Sequence, residues 1–193
     1  MVVLAMGANL KYFQMVKSLQ ADNRLNLIAF FGAVSMFFAA VEFLFPKPVP
    51  YMRLGIANIP ILLALGIFSF REILVLAAIK VFGQGIINGT LASYVFLFSA
   101  AGTFSSAAAM YGIKRLLKDK VSLIGVSIAG ALVSNSIQTF LSLAIVFQKE
   151  AWIIIPWFMG TGFIASIAVG LFANQVYNKS RWFSVIRARE AAG

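Results

Sequence analysis

Apolar residues run along this chain in blocks too long for strands and too continuous for surface helices. The first block, 25–45, is interrupted only by Glu42 and closed by Pro46, Pro48 and Pro50. The second, 54–70, carries no charge and stops at Arg71 and Glu72. From 73 to 113 the sole charge is Lys80, and Gly83, Gly85, Asn88 and Gly89 offer a break. That break divides the run into a short helix over 73–87 and a longer one over 91–113. Two further blocks cover 121–147 and 152–176. About 20 apolar residues cross the ~30 Å of bilayer hydrocarbon. The pattern therefore predicts an all-α integral membrane protein with a bundle of six transmembrane helices. The third helix is short enough that a re-entrant hairpin is its alternative.

Composition agrees with lipid as the solvent. Of 193 residues, 61% are hydrophobic and 11% charged, with a mean hydropathy of +0.92. Soluble domains carry roughly a quarter charged residues. The net charge of +10 changes the picture through its placement. If the N-terminus is cytoplasmic, the loops on that side hold Lys11, Lys17, Arg24, Arg71, Lys114, Arg115, Lys118, Lys120, Lys179, Arg181, Arg187 and Arg189. The outer side holds Lys47, Arg53 and Lys149. This bias predicts both termini inside and makes anionic lipid headgroups, not nucleic acid, the partner of the basic charge. The expected organisation is a cytoplasmic N-terminal segment over 1–24, a transmembrane domain over 25–178 and a basic cytoplasmic tail over 179–193. Within the first segment, residues 9–15 look like a distorted protease-tag remnant, with Met15 as a natural start and 1–14 as tag-derived. No signal-peptide pattern is present there.

Several chemistries have little to draw on. There is no cysteine and no histidine, which removes disulfides, thiolate sites and the commonest metal ligand and general base. The acids are Asp22, Glu42, Glu72, Asp119, Glu150 and Glu190. Neither a metal, a cofactor nor a catalytic residue is expected, and the protein is read as a non-enzyme.

The polar residues inside the apolar blocks need a reason. An ammonium at mid-helix costs roughly 2.5–3.5 kcal/mol on insertion scales. Lys80 lies nine residues beyond Arg71, about 13 Å deep at 1.5 Å per residue. It either pairs with Glu42 in a buried bridge or lines a substrate cavity that shares Glu42 as counter-ion. Depth counting brings Glu42, Arg53, Asn58, Gln84, Asn88, Asn135 and Gln138 to a similar level, nearer the outer face. Asn135 and Gln138 stand three apart and share a helix face. Unpaired amides are costly in lipid, so these side chains should point into the bundle. Ala29 and Ala33 form a small-xxx-small pattern, which serves either packing inside this chain or docking of another membrane subunit. Trp152, Trp157 and Trp182 suit interfacial anchors.

Arg53-Leu-Gly-Ile-Ala-Asn58 resembles a motif of the Gx transporter family, also labelled heptaprenyl diphosphate synthase component I. That family is related to the substrate-binding S components of energy-coupling factor transporters. The resemblance continues through 80–90 (KVFGQGIINGT), 123–130 (LIGVSIAG) and Asn135-Ser-Ile-Gln138. The family usually has arginine where Lys80 stands, and often histidine where Ser134 stands; the second departure removes an imidazole. The resemblance spans roughly 25–177. It implies an S-component-like six-helix bundle in the bacterial cytoplasmic membrane, binding a small vitamin-like solute from the outer face. A flavin or an isoprenoid or quinone-related compound is the implied solute. It also implies an energy-coupling transmembrane subunit with ATPases, met through Ala29 and Ala33. The Lys47-Pro-Val-Pro50 loop would lie over the site. Two rival readings are a membrane scaffold for a redox or prenyl-transfer complex and an intramembrane prenyl-transfer accessory. The second sits poorly with only two aspartates, because magnesium diphosphate centres need clustered carboxylates. No Walker-type phosphate loop is present, and no inverted repeat speaks for autonomous transport.

Overall fold

The computed structural model describes residues 2–44, 55–147, 155–181 and 183–186, with backbone alone for 2–22, 119, 146 and 147. The described residues are helical throughout, joined by short turns. Helix α1 (Val2–Leu44) is continuous, and its apolar part is Asn23–Leu44. Ile28, Phe31, Ser35, Ala39 and Glu42 are buried at spacings of three and four, while Leu25, Ala29, Ala33 and Phe37 face outward. One stripe thus packs inside and the other is left for lipid or a partner.

The expected second span is the one the structure changes. Gly55 takes a left-handed conformation (φ 81°), which costs other residues about 1–2 kcal/mol. A 3₁₀ turn, Ile56–Asn58, leads into the short helix α2 (Ile59–Ala64). Pro60 falls in its first turn, where the missing N–H breaks no helical bond. The helix stops at Ala64, whose carbonyl accepts from the N–H groups of Ile67 (2.9 Å) and Phe68 (2.8 Å). From 56 to 64 the chain climbs roughly 15 Å, about half the hydrocarbon thickness. Every residue from Ile59 to Leu65 is buried, because α1, α3, α5 and α6 surround α2. A hydropathy window does not distinguish such an enclosed segment from a lipid-facing span.

Helix α3 (Phe70–Ile87) begins three residues earlier than the apolar run suggests. Ser69 caps its start: the Ser69 N–H and hydroxyl both donate to Glu72 Oε2 at 2.7 Å. The helix continues through Gly83 and Gly85, which do not break it. A Cβ at Gly83 would strike Met36, and one at Gly85 would strike Leu91 and Phe96, so both glycines admit close neighbours. Helix α4 (Tyr94–Leu117) ends in a 3₁₀ turn, Lys118–Lys120. Helix α5 (Leu123–Ser142) closes with a π-helical turn, Leu143–Phe147, and α6 is Ile155–Lys179. Among the described residues, four helical segments are long and apolar enough to cross a membrane: Asn23–Leu44, Tyr94–Leu117, Leu123–Ile145 and Ile155–Lys179. Helix α3 has 18 residues, about 27 Å, and carries Arg71, Glu72 and Lys80. The chain is a multi-pass helical membrane protein.

Its interior divides by polarity. The apolar core, with Ile61, Leu62, Ile73, Leu76, Val126 and Phe183 among its members, wraps α2. Arg24 pairs with Glu72 at 3.3 Å and reaches the Ile67 carbonyl at 3.4 Å. Tyr177 packs near Gly66, and Lys114 and Lys118 stand beside the 65–69 turn. The described basic residues outside the apolar segments therefore gather at one end of the bundle. Small residues set the spacing of α5 and α6. A Cβ at Gly170 would come within 2.7 Å of the Ile124 Cα, a backbone atom that cannot swing away. Gly170→Ala should therefore force the two helices apart, costing about 1–3 kcal/mol and lowering the thermal midpoint in detergent. Gly160→Ala, whose Cβ meets nothing within 4 Å, should not lower it.

Candidate functional site

Where α2 begins, polar groups from the surrounding helices converge. The Asn58 side-chain carbonyl accepts a hydrogen bond from the Lys80 ammonium. One residue earlier, the Ala57 N–H donates to Glu42 Oε2 at 3.4 Å. Glu42 is 1% exposed and Lys80 3% exposed, so both charges sit inside protein and neither snorkels to the surface. They border the same cavity, so pairing and cavity lining do not exclude each other.

That cavity is bordered by Glu42, Asn58, Lys80, Gln84, Thr103 and Asn135. The glycines that admit these side chains are Gly55 and Gly162. Its volume is about 30 Å³, room for roughly two waters. Two buried hydrogen-bonding atoms, one at the cavity and one beside it, are unmet within the chain. The Asn135 Nδ2 is buried without a partner, as is Gln138 Oε1. The Gln138 Nε2 donates to the Ser134 hydroxyl at 2.8 Å, and Ser134 borders the cavity. A buried unpaired donor or acceptor costs about 1–3 kcal/mol. Asn135 is therefore placed to donate to whatever occupies the cavity. A second space, about 20 Å³, adjoins it through Gly55, Asn58 and Ala131, and borders Ser106, Ser127 and Ser166. There the Ser127 hydroxyl donates to the Ser166 carbonyl at 2.8 Å, while the Ser106 hydroxyl is unpaired.

Five of the eight residues expected to bind substrate border the central cavity: Glu42, Asn58, Lys80, Gln84 and Asn135. Gln138 stands one hydrogen bond away, through Ser134. Asn88 is not among the bordering residues, because α3 ends at Ile87 and Asn88 closes it, donating its N–H to the Gln84 carbonyl at 3.0 Å. Arg53 and the Lys47-Pro-Val-Pro50 loop lie outside the described residues, as do Trp152 and Trp182. Thr103 and Ser134 were not expected at the site. Short hydroxyl side chains satisfy themselves on their own helix, so nothing in their spacing marks them. Ala29 and Ala33 are exposed and do not pack inside this chain; Gly32 between them is the residue that meets α3, at Ile79.

Gly162 faces Asn135 so closely that an added Cβ would overlap the amide. Gly162→Ala should therefore destabilise the fold by about 1–3 kcal/mol. Combining it with Asn135→Ala should recover most of that loss. A thermal-unfolding double-mutant cycle in detergent measures the coupling; additive effects would mean that the two residues do not meet.

A family model described as heptaprenyl diphosphate synthase component I matches residues 31–176. No curated protein and no solved structure matches the chain. The matched stretch runs from α1 into α6 and takes in all the residues that border the cavity. The chain belongs to the heptaprenyl diphosphate synthase component I family.

Proposed function

We propose that this protein is the substrate-binding membrane subunit of a transporter, resembling an energy-coupling factor S component. The observation that carries the reading is the convergence of Glu42, Asn58, Lys80, Gln84 and Asn135 on one cavity inside a membrane bundle. Ionisable groups are expensive in that setting and are found where a substrate or ion is handled. The unpaired Asn135 donor and the Lys80 ammonium favour a solute with acceptor or anionic groups. Arg53, Asn88 and Gln138 complete the proposed contact set. A flavin or an isoprenoid or quinone-related compound is the solute carried over from the resemblance.

The cavity in its described form takes only water-sized occupants. On this reading, a vitamin-sized solute enters by separating the helices around α2 on the outer side. The clustering of basic residues at the opposite end supports a cytoplasmic location for that end, with both termini inside a bacterial cytoplasmic membrane. The outward position of Ala29 and Ala33 on α1 supports a membrane-plane contact with an energy-coupling subunit that has its own ATPases. We read the chain as a binder, not an enzyme. The sequence supports this reading: its six acidic residues include only two aspartates, Asp22 and Asp119, far apart in the chain, whereas a magnesium diphosphate centre needs clustered carboxylates.

The family's description names a component of a prenyl diphosphate synthase, and that wording favours a second reading, a non-catalytic accessory of a prenyl-transfer complex. Purification in mild detergent, denaturation, and absorbance and mass spectrometry of the released compounds separate the two. A stoichiometric small molecule is expected, and Lys80→Ala should lower its affinity about 10–100-fold while the protein stays folded. A protein that is empty, and that binds neither flavins nor prenyl compounds when offered, would overturn the transporter reading.

A further inference from the structure

A far larger space lies at the basic end. Because α2 stops at Ala64 and the chain folds back over 65–69, the corner between that turn and the end of α4 is not filled. What remains is a basin of about 820 Å³. Leu65, Ile67 and Phe68 close it from the turn with side chains that are themselves buried in the core, while Lys114 and Arg115 stand on α4 and Lys118 just past its end.

The charge of the described side chains is one-sided. No carboxylate borders the basin among the described residues. Glu72, at the start of α3, is taken up by Ser69 and Arg24. Lys114 donates to the Lys118 carbonyl at 3.1 Å, which helps close the end of α4. Lys118 adopts a positive φ of 48°, a conformation that is costly for a lysine. The sharp turn it makes keeps Lys118 at the basin's edge and ends α4 there. Arg115 and Lys118 have no ion-pair partner among the described side chains. Beside them Leu116 and Leu117 are 82% and 47% exposed. Two exposed leucines flanked by exposed cations suit the boundary between acyl chains and headgroups.

We propose that this basin binds the headgroup of an anionic phospholipid. The phosphate lies among Lys114, Arg115 and Lys118, and the glycerol and first methylenes lie along the exposed Leu116 and Leu117. A soluble phosphate would use the cations and leave Leu116 and Leu117 uncovered; a lipid uses both. The site is separate from the central cavity and does not depend on the transport reading.

Native mass spectrometry of the full chain in detergent, titrated with phosphatidylglycerol and phosphatidylethanolamine, tests it. One phosphatidylglycerol should be retained in preference to phosphatidylethanolamine. Arg115→Gln with Lys118→Gln should weaken that retention about thirtyfold. Lys120→Gln with Lys179→Gln removes the same charge from the same end outside the basin, and should weaken it less than about threefold. Equal losses from the two pairs would overturn the site, since general attraction to the basic end would then account for binding. Displacement of the lipid by inorganic phosphate at similar concentration would overturn the lipid assignment in favour of a soluble anion. Arg115 and Lys118 are exposed, so both variants should keep native helicity by circular dichroism.

Discussion

Backbone N–H and C=O groups have no water to turn to in hydrocarbon, and each one left unmet costs several kcal/mol. Helix α2 is where this constraint presses hardest. It is too short to reach both surfaces, so its ends must be satisfied within protein. At its start the Asn58 N–H donates to the Gly55 carbonyl and the Ala57 N–H to Glu42. At its finish the Ala64 carbonyl accepts twice from the turn that follows. These bonds are tenable only if other helices shield the whole segment, and α1, α3, α5 and α6 do so. The polar cavity at one end of α2 and the basic basin at the other both follow from its length.

The main outline of this arrangement was legible in the residues. Four long apolar blocks correspond to the four segments able to cross a membrane. Glu42, Lys80, Gln84 and Asn135 stood out because a charge or amide inside such a block has to be accounted for. The 54–70 block misled because hydropathy records how apolar a segment is, not whether lipid or protein covers it. Two local signals pointed the other way. Pro60 suits a helix start, and Ser69 with Glu72 three residues on is a capping pattern that marks a fresh helix at 70. The glycine-rich stretch 83–89 marked a break, and α3 does end at Ile87 as read; Gly83 and Gly85 fall inside the helix, where Met36 and Phe96 come close. No local signal fixes which neighbour a helical glycine will meet.

The two halves of the interior differ in how tightly they specify themselves. Around α2 the packing is among large aliphatic and aromatic groups, where small changes in volume are felt. Around the two small cavities stand Ser106, Ser127, Ser134 and Ser166, and the Ser106 hydroxyl, like those of Ser35 and Ser99 elsewhere in the interior, lacks a partner within the chain. Such groups are held less firmly than a packed core holds its members, and water in the small cavities is the natural way to meet them.

The contact between α5 and α6 has a mechanical corollary. Along the residues through which they touch, α6 offers Gly162, Ser166 and Gly170, and α5 answers with Ile124, Ser127 and Asn135. On the α6 side no large side chain is keyed into a socket at these three positions. Interdigitated knobs must change rotamer before one helix can travel past another, whereas a smooth face yields to shear with little rearrangement. The seam that borders the polar cavity is thus keyed from the α5 side alone, by the Asn135 amide seated at Gly162 and the Ser127 hydroxyl bonded to the Ser166 carbonyl.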